Sequence, residues 1–189
     1  MRKNQIADEA FKLFARQGYE ATTMQQIGDA VGLDKSSLYV HFKNKSDIYA
    51  ENLLQEFQVY EQQVIKQLEC DDADYKSMMR GLFVNSLKYF SDRERLLFWK
   101  QVVLLARSGV NAKMVEQSAF YLDKIKACVH CKLSYAQADD KKNNMSLCSM
   151  ILTQGFMDWF LLQDNVDDND IENAVCMFDN IVSTSKLFN

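Results

Sequence analysis

Apolar residues recur at helical spacing through almost the whole chain, and residues 22–47 show the clearest pattern of short helices. Met24, Ile27 and Val31 occur at positions i, i+3 and i+7, which places them on one face of a helix. Gly32 follows directly, where a residue in the left-handed conformation commonly ends a helix. The pattern therefore predicts a short helix that stops at a glycine-containing turn.

Polar residues predict where the helices on either side of this turn begin. The Thr23 hydroxyl is suited to accept a hydrogen bond from a backbone N–H one turn later, and Asp34 is suited to cap the following helix. Leu38 and Phe42 lie four positions apart on the inner side of that second helix. Helix, glycine-containing turn, helix is the helix-turn-helix pattern.

The outer side of the second helix carries small or hydrogen-bonding side chains. A helix that enters the DNA major groove needs a narrow profile, donors and acceptors for base edges, and no bulky acid. Four side chains are predicted to face base edges, namely Lys35, Ser36, Ser37 and Val40. Four others are predicted to position the helix on phosphate, namely Thr23, Tyr39, His41 and Lys45.

A family resemblance lies in the run TTMQQIGDAVGLDKSSLYVHFKNKSDIY, which is similar to the DNA-binding segment of TetR-like (tetracycline-repressor family) transcriptional regulators. The preceding AFKLFARQGYEATT fits the family's first helix. Ser36 departs from the pattern, because the family often has glycine there, but serine is still small enough for close approach to DNA. The matching positions are Thr22-Thr23, Ile27, Ala30, Gly32, Leu38-Tyr39-x-His41-Phe42 and Lys45. The resemblance covers residues 5–50 and implies a dimeric repressor that binds a palindromic operator and is released by a small-molecule ligand.

The predicted fold is all-α, with two domains in a dimeric protein. Residues 1–47 are expected to form a three-helix helix-turn-helix DNA-binding domain, and residues 48–189 a helical bundle domain for ligand binding and dimerisation. The spacing predicts helices over residues 2–18, 24–31, 35–42, 45–68, 74–90, 93–109, 111–133, 143–163 and 168–187. The helix over residues 45–68 is a candidate lever between DNA and ligand.

The last two predicted helices are apolar on more than one face. A helix that is apolar nearly all round must be covered nearly all round, and a second copy of the chain is the simplest cover. The family resemblance implies the same, since TetR-like proteins dimerise through their last two large helices. The predicted interface consists of Ile151, Gly155, Trp159, Phe178 and Ile181. The competing interpretation is that these helices only form the monomer core.

Aromatic residues are frequent in the middle helices, and most must belong to the core. An apolar cavity between bundle helices, with a few polar groups, is nevertheless a common small-molecule site. In the family, the helical domain binds an inducing ligand, so an apolar or aromatic effector is expected here. Its predicted contacts are Tyr60, Asn85, Trp99, Gln101, Phe120, Tyr121, Phe156 and Asp158.

Charge and composition change this picture little. The net charge is −4, whereas residues 1–47 carry seven cations and six acids, so charge alone does not indicate DNA binding. Lys35, Lys43 and Lys45 nevertheless cluster at one end of the motif. The first residues, MRKNQIADEA, lack an apolar core, so we expect no secretory signal and a cytoplasmic protein.

Signals for other chemistry are weak in this sequence. It has no glycine-rich phosphate loop, no HExxH and no GxSxG, so no enzyme activity and no cofactor is expected. Cys128 and Cys131 form a CxxC pair that is interpreted as buried thiols, a redox-reactive pair or part of a metal site, and no metal site is predicted. A thiol- or metal-responsive regulator using this pair is the alternative function. A helical interaction protein that does not bind DNA is the third.

Overall fold

The computed structural model describes residues 2–66, 75–108, 112–135 and 167–184, together with Gly155 and Gln163. Within these residues the chain forms helices and no strand, which confirms the all-α prediction. The helices are α1 (Arg2–Ala21), α2 (Met24–Val31), α3 (Lys35–His41), α4 (Lys45–Tyr60), α5 (Tyr75–Phe90), α6 (Arg93–Ser108), α7 (Ala112–Tyr135) and α8 (Asp168–Thr184).

Capping groups set the ends of the short helices near the N-terminus. Thr23 Oγ1 accepts a hydrogen bond from the Gln26 N–H at 3.2 Å, and Gln26 Oε1 accepts from the Thr23 N–H at 2.8 Å. This reciprocal pair satisfies two backbone donors that the start of α2 leaves free. Gly32 ends α2 in the left-handed conformation, with φ 65°. Asp34 Oδ1 accepts from the Ser37 N–H at 2.7 Å and begins α3, so all three predicted caps are confirmed.

A break in α1 lies at Gly18, where the first helix was predicted to end. Its φ of 82° and ψ of 166° fall in a region that is essentially restricted to glycine. A Cβ added at this position would lie 3.0 Å from Gln101 Oε1 of α6. The Thr22 hydroxyl donates to the Gly18 carbonyl oxygen at 2.8 Å, which holds the turn that leads into α2. The backbone conformation therefore requires glycine, and the end of the Gln101 side chain would have to shift to admit a Cβ.

The chain divides into two compact units that are discontinuous in sequence. The first contains Met1–Gln58 and Glu94–Asp123, and the second contains Val59–Arg93 and Lys124–Asn189. The helix-turn-helix segment therefore shares a unit with most of α4, nearly all of α6 and the first half of α7. This division differs from the predicted boundary between residues 47 and 48.

Tyr49 occupies the centre of the first unit. Its ring centroid lies 5.1 Å from that of Tyr19, 5.5 Å from that of Phe14 and 5.8 Å from that of Phe98. Its hydroxyl is hydrogen-bonded to that of Ser118 at 3.2 Å. Burial raises the pKa of Tyr49 to about 12. These contacts tie α1, α4, α6 and α7 together behind the helix-turn-helix segment.

In the second unit, a π-helical turn, Glu61–Ile65, follows α4 directly. The Lys66 N–H donates to the Glu61 carbonyl oxygen at 2.8 Å at the end of this turn. The Tyr60 ring meets that of Tyr89 edge to face with centroids 5.1 Å apart. Its hydroxyl lies 3.4 Å from Ser86 Oγ. Burial raises the pKa of Tyr60 to about 12. The end of α4 is therefore anchored in an apolar core.

Helix α8 is held to α5 within the same unit. The Phe83 and Phe178 rings stack with centroids 4.7 Å apart, and Phe178 is only 2% exposed. Arg80 makes two hydrogen bonds to the Asp179 carboxylate, at 2.8 and 3.0 Å. Phe178 thus packs inside its own chain, which leaves its ring almost no surface for the partner that the sequence predicted.

Candidate nucleic-acid interface

The turn between α2 and α3 brings the two helices close together. The Leu33 N–H donates to the Gly28 carbonyl oxygen at 2.9 Å. A Cβ at Gly28 would lie 2.9 Å from the Leu33 carbonyl oxygen, so no larger residue fits without movement of the backbone. Ile27 and Leu38, both fully buried, fill the space beneath the turn. Sequence reasoning missed Gly28, although a glycine inside a helical pattern often marks such an approach.

One side of α3 is open to solvent. Val40 is 82% exposed and Tyr39 is 43% exposed. Lys35 and Ser36 are also exposed, whereas Ser37 and His41 are half-buried. Leu38, on the opposite side, is completely buried. The structure therefore places most of the predicted base-facing residues on a surface that DNA can reach.

Asp34, the residue before α3, accepts hydrogen bonds from two residues of its own chain. Asp34 Oδ1 accepts from the Ser37 N–H and, at 3.0 Å, from the Ser36 hydroxyl. The backbone bond from Ser37 is the main reason why the pKa of the Asp34 carboxyl is lowered, and side-chain bonds to Ser37 and Ser36 add to it. Because the Ser36 proton is donated to Asp34, the Ser36 oxygen is left as an acceptor toward a ligand.

Lys45 has a different environment from the one that the sequence predicted. Its ammonium donates to the carbonyl oxygens of Tyr19 at 2.5 Å and Thr22 at 2.7 Å, with that of Glu20 at 3.4 Å. It also lies 4.1 Å from the centroid of the Tyr19 ring. Burial lowers the pKa of Lys45, and the nearby Glu20 charge opposes this shift. The ammonium thus joins the end of α1 to the start of α4, with its donors facing backbone carbonyl oxygens.

Several other cations of the module are neutralised by acids. The ion pairs join Lys3 to Glu51 at 2.8 Å, Lys12 to Glu9 at 2.7 Å and Arg16 to Glu94 at 2.5 Å. Among the described residues of the module, the exposed Arg2, Lys35 and Lys43 make no ion pair. Lys35 is the first residue of α3 and Lys43 lies two residues after its end, so these two cations are the ones best placed to meet DNA.

The predicted ligand contacts are divided between the two units. Trp99 is 1% exposed and packs in the core, while Phe120 is 53% exposed. Gln101 lies against Gly18 of α1, at the base of the DNA-binding module. The first unit contains Trp99, Gln101, Phe120 and Tyr121, and the second contains Tyr60 and Asn85. Phe156 and Asp158 lie outside the described residues.

Of the predicted dimer contacts, the structure describes the surroundings of two residues, Gly155 and Phe178. Gly155 is helical and exposed, and an added Cβ would meet no described atom within 4 Å. Phe178 is buried against α5, as described above. Ile151, Trp159 and the Ile181 side chain lie outside the described residues. Of these predicted dimer contacts, Gly155 is therefore the one that is exposed among the described residues.

Three cysteines lie among the described residues, Cys128, Cys131 and Cys176. Burial is the main cause that raises the pKa of the Cys128 thiol, which disfavours the thiolate needed for oxidation or metal binding. Cys131 and Cys176 are exposed free thiols. In the part of the chain that the structure describes, no group of three or more His, Cys, Asp or Glu side chains could hold a metal ion. None of the helices searched there is long and apolar enough to cross a membrane.

Two short helices joined by a tight turn, with the second helix exposed on one side, define a helix-turn-helix DNA-binding module. Residues 6–51 match the model of the family described as bacterial regulatory proteins, tetR family. This segment therefore belongs to the tetR family, and the resemblance predicted from sequence is confirmed.

Known proteins match this chain in two ways. The negative transcriptional regulator IcaR of the biofilm operon icaADBC of Staphylococcus epidermidis is 41% identical over 51 residues, which are 27% of this chain and only 28% of IcaR. The TetR-family regulator PfmR of Thermus thermophilus has a TM-score of 0.66 at 22% identity, and the match covers 98% of this chain and 97% of PfmR. AibR, solved with isovaleryl coenzyme A and operator DNA, has a TM-score of 0.66 at 18% identity, covering 94% and 97%. The structural likeness shows a shared fold.

Proposed function

We propose that this protein is a cytoplasmic transcriptional repressor that binds a palindromic DNA operator as a homodimer and is released by a small molecule. The observation that carries the proposal is the open side of α3 in a tetR-family module. Val40 is 82% exposed there, while Leu38 anchors the opposite side with no exposure. The negative regulator IcaR, which matches only over this segment, supports the same role.

In this proposal α3 enters the major groove. Lys35, Ser36 and Val40 face base edges, and Tyr39 and Lys43 contact phosphate at the sides of the groove. The capping pairs at Thr23 and Asp34 fix where α2 and α3 begin, so their contribution to binding is indirect. Few unpaired cations are available among the described residues of the module, so we expect modest salt dependence per protomer.

Selecting bound duplexes from a random pool tests DNA binding with the full chain. The expected product is an inverted repeat whose half-site centres lie about one helical turn, or a multiple of it, apart. Lys35→Glu should abolish recovery of this site because it replaces a base-facing cation with an acid, which the negatively charged DNA repels. Lys66→Glu, the same change at an exposed lysine outside α3, is the matched control and should bind normally. No enriched sequence, or one without symmetry, would contradict the proposal.

The dimer contact is proposed to include Gly155, where the described surface is open. Gly155→Trp should push the two copies apart and yield a folded monomer with weakened operator binding. Sedimentation velocity and circular dichroism of the same sample measure the two properties. An unchanged dimer would place the interface on other residues.

Ligand release is proposed to act through α4, which runs from Lys45 in the first unit to Tyr60 in the second. AibR was solved with a coenzyme A thioester and operator DNA, which supports a ligand-responsive regulator with this fold. An apolar or aromatic effector that favours one orientation of α4 would shift DNA affinity, because only differential binding moves an equilibrium. A coupling of about 1–3 kcal/mol corresponds to roughly 5–150-fold weaker DNA binding.

A titration of an identified effector with and without operator duplex tests this coupling. Linkage requires that the operator weakens the effector by the same factor as the effector weakens the operator. Tyr60→Phe, which keeps the buried ring and removes only the hydroxyl, should alter the effector response and spare DNA binding without effector. Equal effector affinity in both titrations would rule out release through α4.

A further inference from the structure

Val40 is the most exposed large apolar side chain among the described residues, at 82%. A β-branched residue loses rotamer freedom in a helix and is a weaker helix former than alanine. In the free chain this side chain therefore adds neither packing nor helix stability. Single exposed apolar residues are ordinary on protein surfaces. Val40 differs from such residues because it lies on the open side of α3, which the proposed function places in the major groove.

The other exposed side chains of α3 limit what the helix can read. Bidentate contacts to guanine come from arginine or lysine, and those to adenine from asparagine or glutamine. On α3 the exposed residues Lys35, Ser36 and Tyr39 include one lysine, which can read guanine, and no arginine or carboxamide. Ser36 lies one turn before Val40 and donates its proton to Asp34 at 3.0 Å. Val40 is thus the one apolar group on the base-facing side of this helix.

An apolar side chain finds a single matching feature on base edges in the major groove, the C5-methyl group of thymine. We propose that Val40 is a specificity-determining residue that packs against the methyl group of one thymine in each operator half-site. The inference rests on the proposed function, because it requires α3 to lie in the major groove. It adds a base identity that the fold alone does not supply.

Replacing that thymine by deoxyuridine removes the methyl group and leaves every hydrogen-bonding group of the base unchanged. The duplex selected by the full-length protein first shows whether one thymine is invariant in both half-sites. Loss of one buried methyl group should weaken binding about fourfold per half-site, and about fifteenfold when both half-sites carry deoxyuridine. Fluorescence anisotropy with labelled duplexes at one fixed salt concentration measures these ratios.

The Val40→Ala variant completes a double-mutant cycle. It should bind the thymine duplex more weakly and should no longer distinguish thymine from deoxyuridine. Because Val40 is exposed, this variant should keep the thermal unfolding midpoint of the wild type, which circular dichroism checks. Leu104→Ala removes another exposed apolar side chain, 62% exposed on α6, and should retain the full thymine preference.

The possible results separate the two proposals. If no duplex is enriched, the proposed DNA-binding function fails, and the role of Val40 fails with it. If a symmetric duplex is bound but no thymine is invariant, or deoxyuridine binds as tightly as thymine, only the inference about Val40 is overturned. A thymine preference that persists in Val40→Ala would also overturn it, since another residue must then contact the methyl group.

Discussion

Replacing Lys45 by methionine removes an ammonium while keeping most of the aliphatic side chain. In the structure that ammonium donates to the Tyr19 and Thr22 carbonyl oxygens at 2.5 and 2.7 Å and lies 4.1 Å from the Tyr19 ring centroid. A hydrogen bond to a charged group contributes about 1.5–3 kcal/mol, and an exposed cation–π contact about 0.5–1 kcal/mol. Because Lys45 is half-buried and solvent screens part of these interactions, we expect a loss of about 2–3 kcal/mol in total.

For a chain of this length, that loss should lower the thermal unfolding midpoint by about 4–12 °C. Lys43→Met is the matched control, since Lys43 is exposed and makes no ion pair among the described residues. It should leave the midpoint nearly unchanged. If Lys43 meets a phosphate in each half-site, its replacement should lower the slope of log K against log salt concentration by about two per dimer.

Circular dichroism melting and anisotropy titrations over a range of salt concentrations measure the two properties separately. Lys45→Met should lower the melting midpoint and leave the salt slope of the folded protein unchanged. The opposite pattern, with an unchanged midpoint and a reduced slope, would refute the reasoning. It would mean that the Lys45 ammonium contacts phosphate in solution.

Gly18→Ala should lose about 1–3 kcal/mol of stability, because its backbone region is essentially restricted to glycine, whereas Gly32→Asn, at an open left-handed position, should lose much less. Equal losses in denaturant melts would contradict this. The raised pKa of Tyr49, about 12 against an ordinary value of 10.0, contributes stability that is present below pH 10 and lost as the pH rises through 12. Tyr49→Phe should flatten the alkaline decline in unfolding free energy, and an unaltered decline would count against it. Phe178→Ala should cost about 3–5 kcal/mol in denaturant melts, whereas Met177→Ala, at a position that is 65% exposed, should change little. Similar effects of these two changes would place Phe178 outside the core.

The helix ends could be predicted because they depend on residues within one turn. Thr23 and Asp34 have short polar side chains that meet a backbone N–H three positions later. Gly18 and Gly32 mark points where the backbone leaves the helical region, with φ of 82° and 65°. Such local chemistry needs no knowledge of the rest of the chain. The inner positions Leu38 and Phe42 could be predicted for the same reason, because a spacing of four residues places them on one side of a helix.

Long-range partners could not be predicted from residue types. Lys45 is a lysine beside the DNA-binding motif, and only the structure shows that its ammonium meets a carbonyl group 26 positions earlier. The sequence predicts Gln101 as a polar ligand contact, and the structure places its side chain beside Gly18. The sequence predicts Phe178 at a dimer surface, and its ring stacks on Phe83 of the same chain. An apolar spacing shows which face is covered but not what covers it.

The aromatic residues illustrate the same limit for the ligand site. Trp99 and Phe120 have similar chemistry, but one is 1% exposed and the other 53% exposed. Composition therefore does not separate packing residues from surface residues. The ligand contacts remain predictions that only a bound effector will test.

Dimethyl sulfate footprinting of the selected duplex most directly tests the claim that α3 enters the major groove. The reagent modifies guanine N7, a group of the major groove, and adenine N3, a group of the minor groove. The proposed docking predicts protection of guanine N7 in both half-sites, lost in Lys35→Glu and kept in Lys66→Glu. Protection confined to adenine N3, or none on a duplex that is bound, would contradict the assignment of α3 as the reading helix.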